Sequence, residues 1–233
     1  MSIADNMARI CESVAKAALK AGRSPKDVSV VAVTKTVALP RILEALECGI
    51  SHVGESRVQE AKEKLPGLPP GITRHMVGHL QTNKVGSALG IFEVIHSLDR
   101  VSLAQEISRR ALAQGMVARV LVQVNTAGDE ERHGVLPAGV ESLVRQVSVM
   151  GGLSVEGLMT IAPYTSDERR LRKAFSVLRE LRDEIKGKNM AGVTMEHLSM
   201  GMSGDYQLAI EEGATLVRVG TAIFGSRPRG GDG

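Results

Sequence analysis

Three groups of residues have the types and spacing to do chemistry, and they lie far apart along the chain. Lys35 closes the apolar run "VSVVAVTK" (28–35). A lysine at the edge of a hydrophobic core either snorkels to water or offers a partly desolvated amine that can hold an aldehyde as a Schiff base. Near the other end, "HLSMGMSGDYQLAIEEGATLVRVGTAIFG" (197–225) contains two glycine turns, each opening a helix. The backbone N–H groups of such turns, with the hydroxyls of Ser203 and Thr221, suit a phosphate. The alternative is ordinary capping by Ser203 and a tight turn at Gly220. Arg218 stands two residues before Gly220 in "LVRVG". Its charge is permanent, so inside a strand it either pairs with a carboxylate or touches a ligand.

These groups meet only if the fold brings an early strand beside a late one. After the amphipathic segment "MSIADNMARICESVAKAALKAG", eight short β-branched runs alternate with helical ones. The runs are "VSVVAVTK", "SHVGES", "TRHMVG", "FEVIHSL", "ARVLVQVN", "LSVEGLMTI", "TMEHLSMG" and "TLVRVGTAIFG". Eight β-α units predict a closed (β/α)8 TIM barrel with an extra N-terminal helix. No GxGxxG follows the first strand, which argues against a Rossmann dinucleotide site. Residues 1–226 are expected to form one domain and 227–233 a disordered tail.

Barrels build their sites at the C-terminal ends of the strands. That rule places Lys35 after the first strand, Glu55 and Ser56 after the second, and His79 after the third. Asn125 follows the fifth and Met159 the sixth. Ser199 to Ser203 follow the seventh, and Gly220 and Thr221 the eighth.

Composition excludes several classes. The chain has 233 residues, 43% hydrophobic and 24% charged, which suits a soluble globular domain with a full core. Cys11 and Cys48 stand alone, so neither a disulfide framework nor a zinc site is indicated and a reducing cytoplasm is expected. No stretch is long and apolar enough to span a bilayer. Net charge is only +3, with basic and acidic residues interspersed, and Trp is absent. A small anionic ligand fits this balance better than nucleic acid does. His75 and His79 are four apart, but one falls in a strand and the other past its end, so no metal site is expected. His75 reads as a core residue and His79 as a rim group. His96, His133 and His197 have no partner visible in the sequence.

With these residues in hand, the sequence resembles the pyridoxal 5'-phosphate homeostasis proteins, which look like the N-terminal barrel of alanine racemase. The resemblance runs through "VAVTKT", "VGESRVQEAKEK", "HMVGHLQTNK", "HSLDR", "VLVQVN", "GLMTI" and "LSMGMSGDYQLAIEEGATLVRVGTAIFG". It implies that Lys35 carries pyridoxal 5'-phosphate (PLP) as an internal aldimine. By the same carry-over, Ser203, Gly220 and Thr221 hold the phosphate and Arg218 faces the pyridine nitrogen. Met200 and Gly201 lie in the phosphate loop, and Ser56 and His79 are more peripheral. Two positions depart from the family pattern. Ser56 stands where members usually carry asparagine, and Arg132 where a lysine is often found. A guanidinium does not form an aldimine.

The resemblance leaves an enzyme, a carrier and a third possibility open. A permanent cation beside the pyridine nitrogen disfavours its protonation and weakens the ring as an electron sink. Racemisation needs a base on each face of the substrate, and Lys35 serves one. In alanine racemase the opposing tyrosine comes from a second domain, whereas this sequence ends soon after its eighth strand with Tyr164 and Tyr206 as its tyrosines. The expectation is a protein that stores or delivers PLP to PLP-dependent apoenzymes, with no catalysis beyond a vestige. It is expected to work as a monomer or weak dimer, away from membranes and nucleic acid. A PLP-dependent racemase is the first rival and a cofactor-free Schiff-base aldolase the second.

Overall fold

In the computed structural model, which describes residues 2–129 and 131–225, eight parallel strands close into one barrel in the order of the chain. They are β1 (Ser29–Val33), β2 (His52–Glu55), β3 (Thr73–Met76), β4 (Val94–Leu98), β5 (Ala118–Gln123), β6 (Leu153–Met159), β7 (Val193–Ser199) and β8 (Leu216–Val219). The eight-strand reading and the barrel both hold. The tail expected to be disordered, 227–233, lies outside the described residues.

Helices follow the strands: α1 (Ile3–Lys20), α2 (Leu39–Glu47), α3 (Val58–Lys64), α4 (Val85–Leu89), α5 (Val101–Ala113), α6 (Val140–Ser148), α7 (Glu168–Gly187), α8 (Tyr206–Glu211) and α9 (Thr221–Phe224). The extra helix α1 starts with a capping box, in which Ser2 and Asp5 exchange side-chain and backbone hydrogen bonds. Its buried stripe, Ile3, Met7, Ile10, Val14, Ala17 and Ala18, has the three-to-four spacing that a packed helix needs. That stripe faces α2, α8 and α9. Asn6 Nδ2 donates to the Ile223 carbonyl at 2.8 Å, which ties α1 to the short helix after β8.

Strands buried on both faces read as nearly continuous apolar runs, and β4 is buried at every position. Most of the core lies between sheet and helices. A smaller cluster, Val31, Val94, Leu121, Met159 and Leu216, fills the barrel itself. Closure pairs β1 with β8, Val31 opposite Arg218 and Ala32 opposite Val219.

Strand ends differ from the sequence reading by one or two residues. β1 stops at Val33, and Lys35 lies in the following turn, because Thr36 adopts φ 63° and ends the extended backbone. Met159 is the last residue of β6 and fully buried in the barrel cluster, so it is core and not rim. Glu55 and Ser199 are likewise fully buried final residues of their strands. No helix among the described residues is long and apolar enough to cross a membrane.

Candidate functional site

The half-buried Lys35 is presented by a turn that is held from below. Lys64 Nζ, at the end of α3, donates to the carbonyl of Thr34 at 2.7 Å and to that of Val37 at 3.3 Å. The same ammonium pairs with Glu55 at 2.6 Å and Glu60 at 2.7 Å. Glu60 in turn accepts from the Thr36 N–H at 2.5 Å. A threonine at positive φ is a strained conformer, and it persists only where neighbours over-determine it. Here two carboxylates and one ammonium do so around the residue next to Lys35. Burial pushes the Glu55 carboxyl up, and the bonds from Lys64 and Thr34 pull it partly back. Its Oε2 has no hydrogen-bond partner among the described residues.

Arg218, in β8, is buried with 5% of its surface exposed. Its Nη1 donates to the Ser199 carbonyl at 2.8 Å and to Ser199 Oγ at 2.5 Å, and its Nη2 to the Thr160 carbonyl at 2.7 Å. Burial lowers the guanidinium to about 10, with Asp205 opposing that shift, so the group keeps its charge at neutral pH. Arg218 N–H also donates to the carbonyl of Gly201, at 2.9 Å. Gly201 has φ 91°, and an added Cβ would lie 2.6 Å from the Ala209 Cβ, so glycine is required at this turn.

Ser203 serves the neighbouring unit, not its own helix. Its Oγ accepts from the N–H groups of Gly220 at 3.2 Å and Ala222 at 3.3 Å, across the start of α9. An oxygen that accepts two N–H bonds keeps its own proton for an acceptor outside the turn. Ser203, Gly220 and Thr221 are therefore brought together as expected.

Barrel closure also brings Lys35 to them. Lys35 and Thr36 line one cavity with Val33, Arg41, Gly220 and Thr221, about 240 Å³ in volume. Other expected residues lie apart from it. The Met200 side chain is fully buried in the core, and its N–H donates to the Leu216 carbonyl. Ser56 and His79 share a different cavity, of about 350 Å³, between the ends of β2 and β3. The His79 ring stacks on His133 at 3.9 Å between centroids and sits 3.7 Å from Asp99. These three side chains have ligand atoms within 4.8 Å of one another, but rings stacked 14° from parallel do not converge their nitrogens on one ion.

A larger cavity, about 530 Å³, opens beside the Met202–Asp205 turn and is lined by Asn125, Arg132, Ile161, Tyr164 and Leu171 among others. Arg132 braces it, bonding Asp129 at 3.0 Å and the Ala162 carbonyl at 2.8 Å. Tyr164 is fully exposed, while Tyr206 is buried at the start of α8. Sequence reasoning passed over Lys64, Glu60 and Thr160, whose roles depend on contacts between distant segments. The charged positions of α3 gave no sign that one of them turns inward.

Residues 6–228 match the family described as alanine racemase, N-terminal domain. The chain is 42% identical over 228 residues to a pyridoxal phosphate homeostasis protein of Aquifex aeolicus, covering 97% of this chain and 99% of that one. It is 32% identical over 229 residues to the protein of the same name from Escherichia coli, covering 97% of each. Among solved structures, PipY of Synechococcus elongatus with PLP bound superposes with a TM-score of 0.83 at 35% identity, over 96% of this chain and all of that one. Alanine racemase of Clostridium difficile shares the fold, with a TM-score of 0.77 at 14% identity over 97% of this chain and 58% of that one.

Proposed function

The chain belongs to the alanine racemase N-terminal domain family and, within it, to the pyridoxal phosphate homeostasis proteins, and from that membership we propose that it binds PLP covalently through Lys35 and holds it for delivery rather than for catalysis. The observation that carries this reading is the shared cavity: Lys35 from the first β-α turn and Gly220 and Thr221 from the last line one pocket.

The residues present fit the group. An aldehyde needs an amine, and Lys35 condenses with it by losing one water. A phosphate needs N–H and O–H donors, and on this reading the hydroxyl protons of Ser203 and Thr221 serve, since the Gly220 and Ala222 N–H groups already donate to Ser203 Oγ. A pyridine nitrogen held unprotonated needs a donor that cannot give up its proton, and Arg218 is such a donor. Ser56, His79, Met200 and Gly201 play supporting parts on this reading, the last two by shaping the turn behind the phosphate.

When bound, the cofactor brings an electrophilic aldehyde and a conjugated ring. Arg218 withholds the ring proton that would make that conjugation a strong electron sink. The burial of Tyr206 at the start of α8 and the full exposure of Tyr164 support a reading without a second base. Storage and handover to apoenzymes is the function these residues support best, and we place it in the cytoplasm with the protein as a monomer or weak dimer. Release replaces Lys35 with another amine at the same carbon, so no water or oxidant is consumed. The test mixes PLP-loaded protein with a PLP-dependent apoenzyme and an excess of a trap for free PLP. Activation that survives the trap is expected, and activation abolished by it removes direct delivery from the account.

A further inference from the structure

A line of hydrogen-bonded histidines crosses the barrel interior and ends on Arg218. His52 Nδ1 lies 3.0 Å from His75 Nε2, and His75 Nδ1 lies 2.8 Å from His96 Nε2. His96 Nδ1 lies 2.9 Å from Ser199 Oγ, the atom that accepts from Arg218 Nη1. Four strands, β2, β3, β4 and β7, contribute one residue each, and β8 contributes the arginine. His75 and His96 are buried, with 2% and 0% of their surfaces exposed, and His52 is half-buried. None of the three histidines lines the cavity that holds Lys35.

The arginine sets the direction of the whole chain. A guanidinium only donates, so Ser199 Oγ accepts from Arg218 and its own proton needs another acceptor. His96 Nδ1 is the acceptor within reach. His96 then carries its proton on Nε2 and donates to His75 Nδ1, and His75 donates from Nε2 to His52 Nδ1. The last proton, on His52 Nε2, is left at the half-buried end of the line. Run the other way, His96 would donate to Ser199 Oγ and strand the serine proton in the core, which costs about 1–3 kcal/mol. The neutral, one-directional arrangement also suits the surroundings. Burial depresses all three rings, and Arg218 adds to the effect at His96. His197 and Arg119 face the outer end and act in the same sense there.

We infer that His96 is a positioning residue for Arg218: by accepting the Ser199 proton it turns the serine oxygen into an acceptor that fixes the guanidinium, and His75 and His52 fix the tautomer of His96. The effect on the cofactor rests on the proposed function, in which Arg218 faces the pyridine ring. The tautomer chain itself does not.

Nitrogen-15 NMR of the imidazoles in the full-length, ligand-free protein tests the chain directly. His96 and His75 should show a protonated Nε2 and a bare Nδ1, unchanged between neutral and mildly acid pH. A protonated His96 Nδ1, or a charged His96 at neutral pH, overturns the inference. The cofactor readout compares His96→Leu with His96→Asn, whose side-chain oxygen can occupy the Nδ1 position. His96→Leu should weaken PLP retention about tenfold and shift the visible band, with His96→Asn recovering most of both. Retention and spectrum unchanged in His96→Leu overturn the positioning role. If wild-type protein takes up no PLP, the proposed function fails, and the NMR result still decides the tautomer chain.

Discussion

Lys64 Nζ lies 2.7 Å from the carbonyl of Thr34 and 2.6 Å from the carboxylate of Glu55, so one ammonium at the end of a helix holds both the turn before Lys35 and a fully buried acid. Breaking a buried ion pair from one side is costly, because the remaining charge stays in a poorly solvating place. Lys64→Met should therefore destabilise the protein by about 3–5 kcal/mol. Adding Glu55→Gln should recover a large part of that loss. Urea unfolding reads both effects, and a single variant as stable as wild type would remove the clamp from the account.

The Ser203 hydroxyl bridges two backbone N–H groups of the turn after β8. Ser203→Ala should cost about 1 kcal/mol of stability, as the loss of a helix cap does. It should also weaken PLP binding by about tenfold, since a donor to the phosphate disappears. Equilibrium dialysis checks the second point. Unchanged affinity would mean that the phosphate sits elsewhere.

Gly201→Ala places a Cβ 2.6 Å from Ala209 and 2.9 Å from the Tyr206 Cα, at φ 91°. Strain of this kind costs roughly 1–3 kcal/mol. Calorimetry should show a Tm lower by several degrees, with PLP retention reduced because the same turn supports Arg218 through its carbonyl. A variant with wild-type Tm would contradict the conformation assigned to this loop.

Burial lowers His75 to about 3, well under the ordinary histidine range. The unfolded chain takes up a proton near pH 6.5 that the folded chain refuses, so stability is full above that range and falls as pH drops towards 3. The slope from this residue is about 1.4 kcal/mol per pH unit inside that window. His52 and His96, also lowered by burial, act in the same direction. Urea midpoints measured at neutral and mildly acid pH should separate in wild type and draw closer in His75→Gln. Equal separation in both proteins would show that His75 does not titrate this way.

The barrel was legible because its signal is repetitive: eight β-branched runs, each followed by a helical pattern, leave few other topologies. The pairing of Lys35 with Gly220 and Thr221 was legible only through closure, which sets Val31 opposite Arg218. Strand ends were less so, since a run such as "VSVVAVTK" carries β-branched residues past the point where Thr36 turns the chain. The partners of Lys64 and the histidine line were not legible at all. The carbonyl partners of Lys64, at Thr34 and Val37, and the histidine line depend on register between segments twenty or more residues apart, and a lysine that pairs inward has the same neighbours in sequence as one that faces water. The capping alternative for Ser203 had its own helix in view, whereas the N–H groups it accepts from belong to the next β-α unit.

The most direct test of the account is borohydride reduction of PLP-loaded protein followed by peptide mass analysis. Wild type should absorb visible light, lose that band on reduction, and carry the reduced adduct on the peptide containing Lys35, while Lys35→Ala carries none. An adduct on another lysine, or a reducible chromophore that persists in Lys35→Ala, would contradict the assignment of Lys35 as the residue that holds the cofactor.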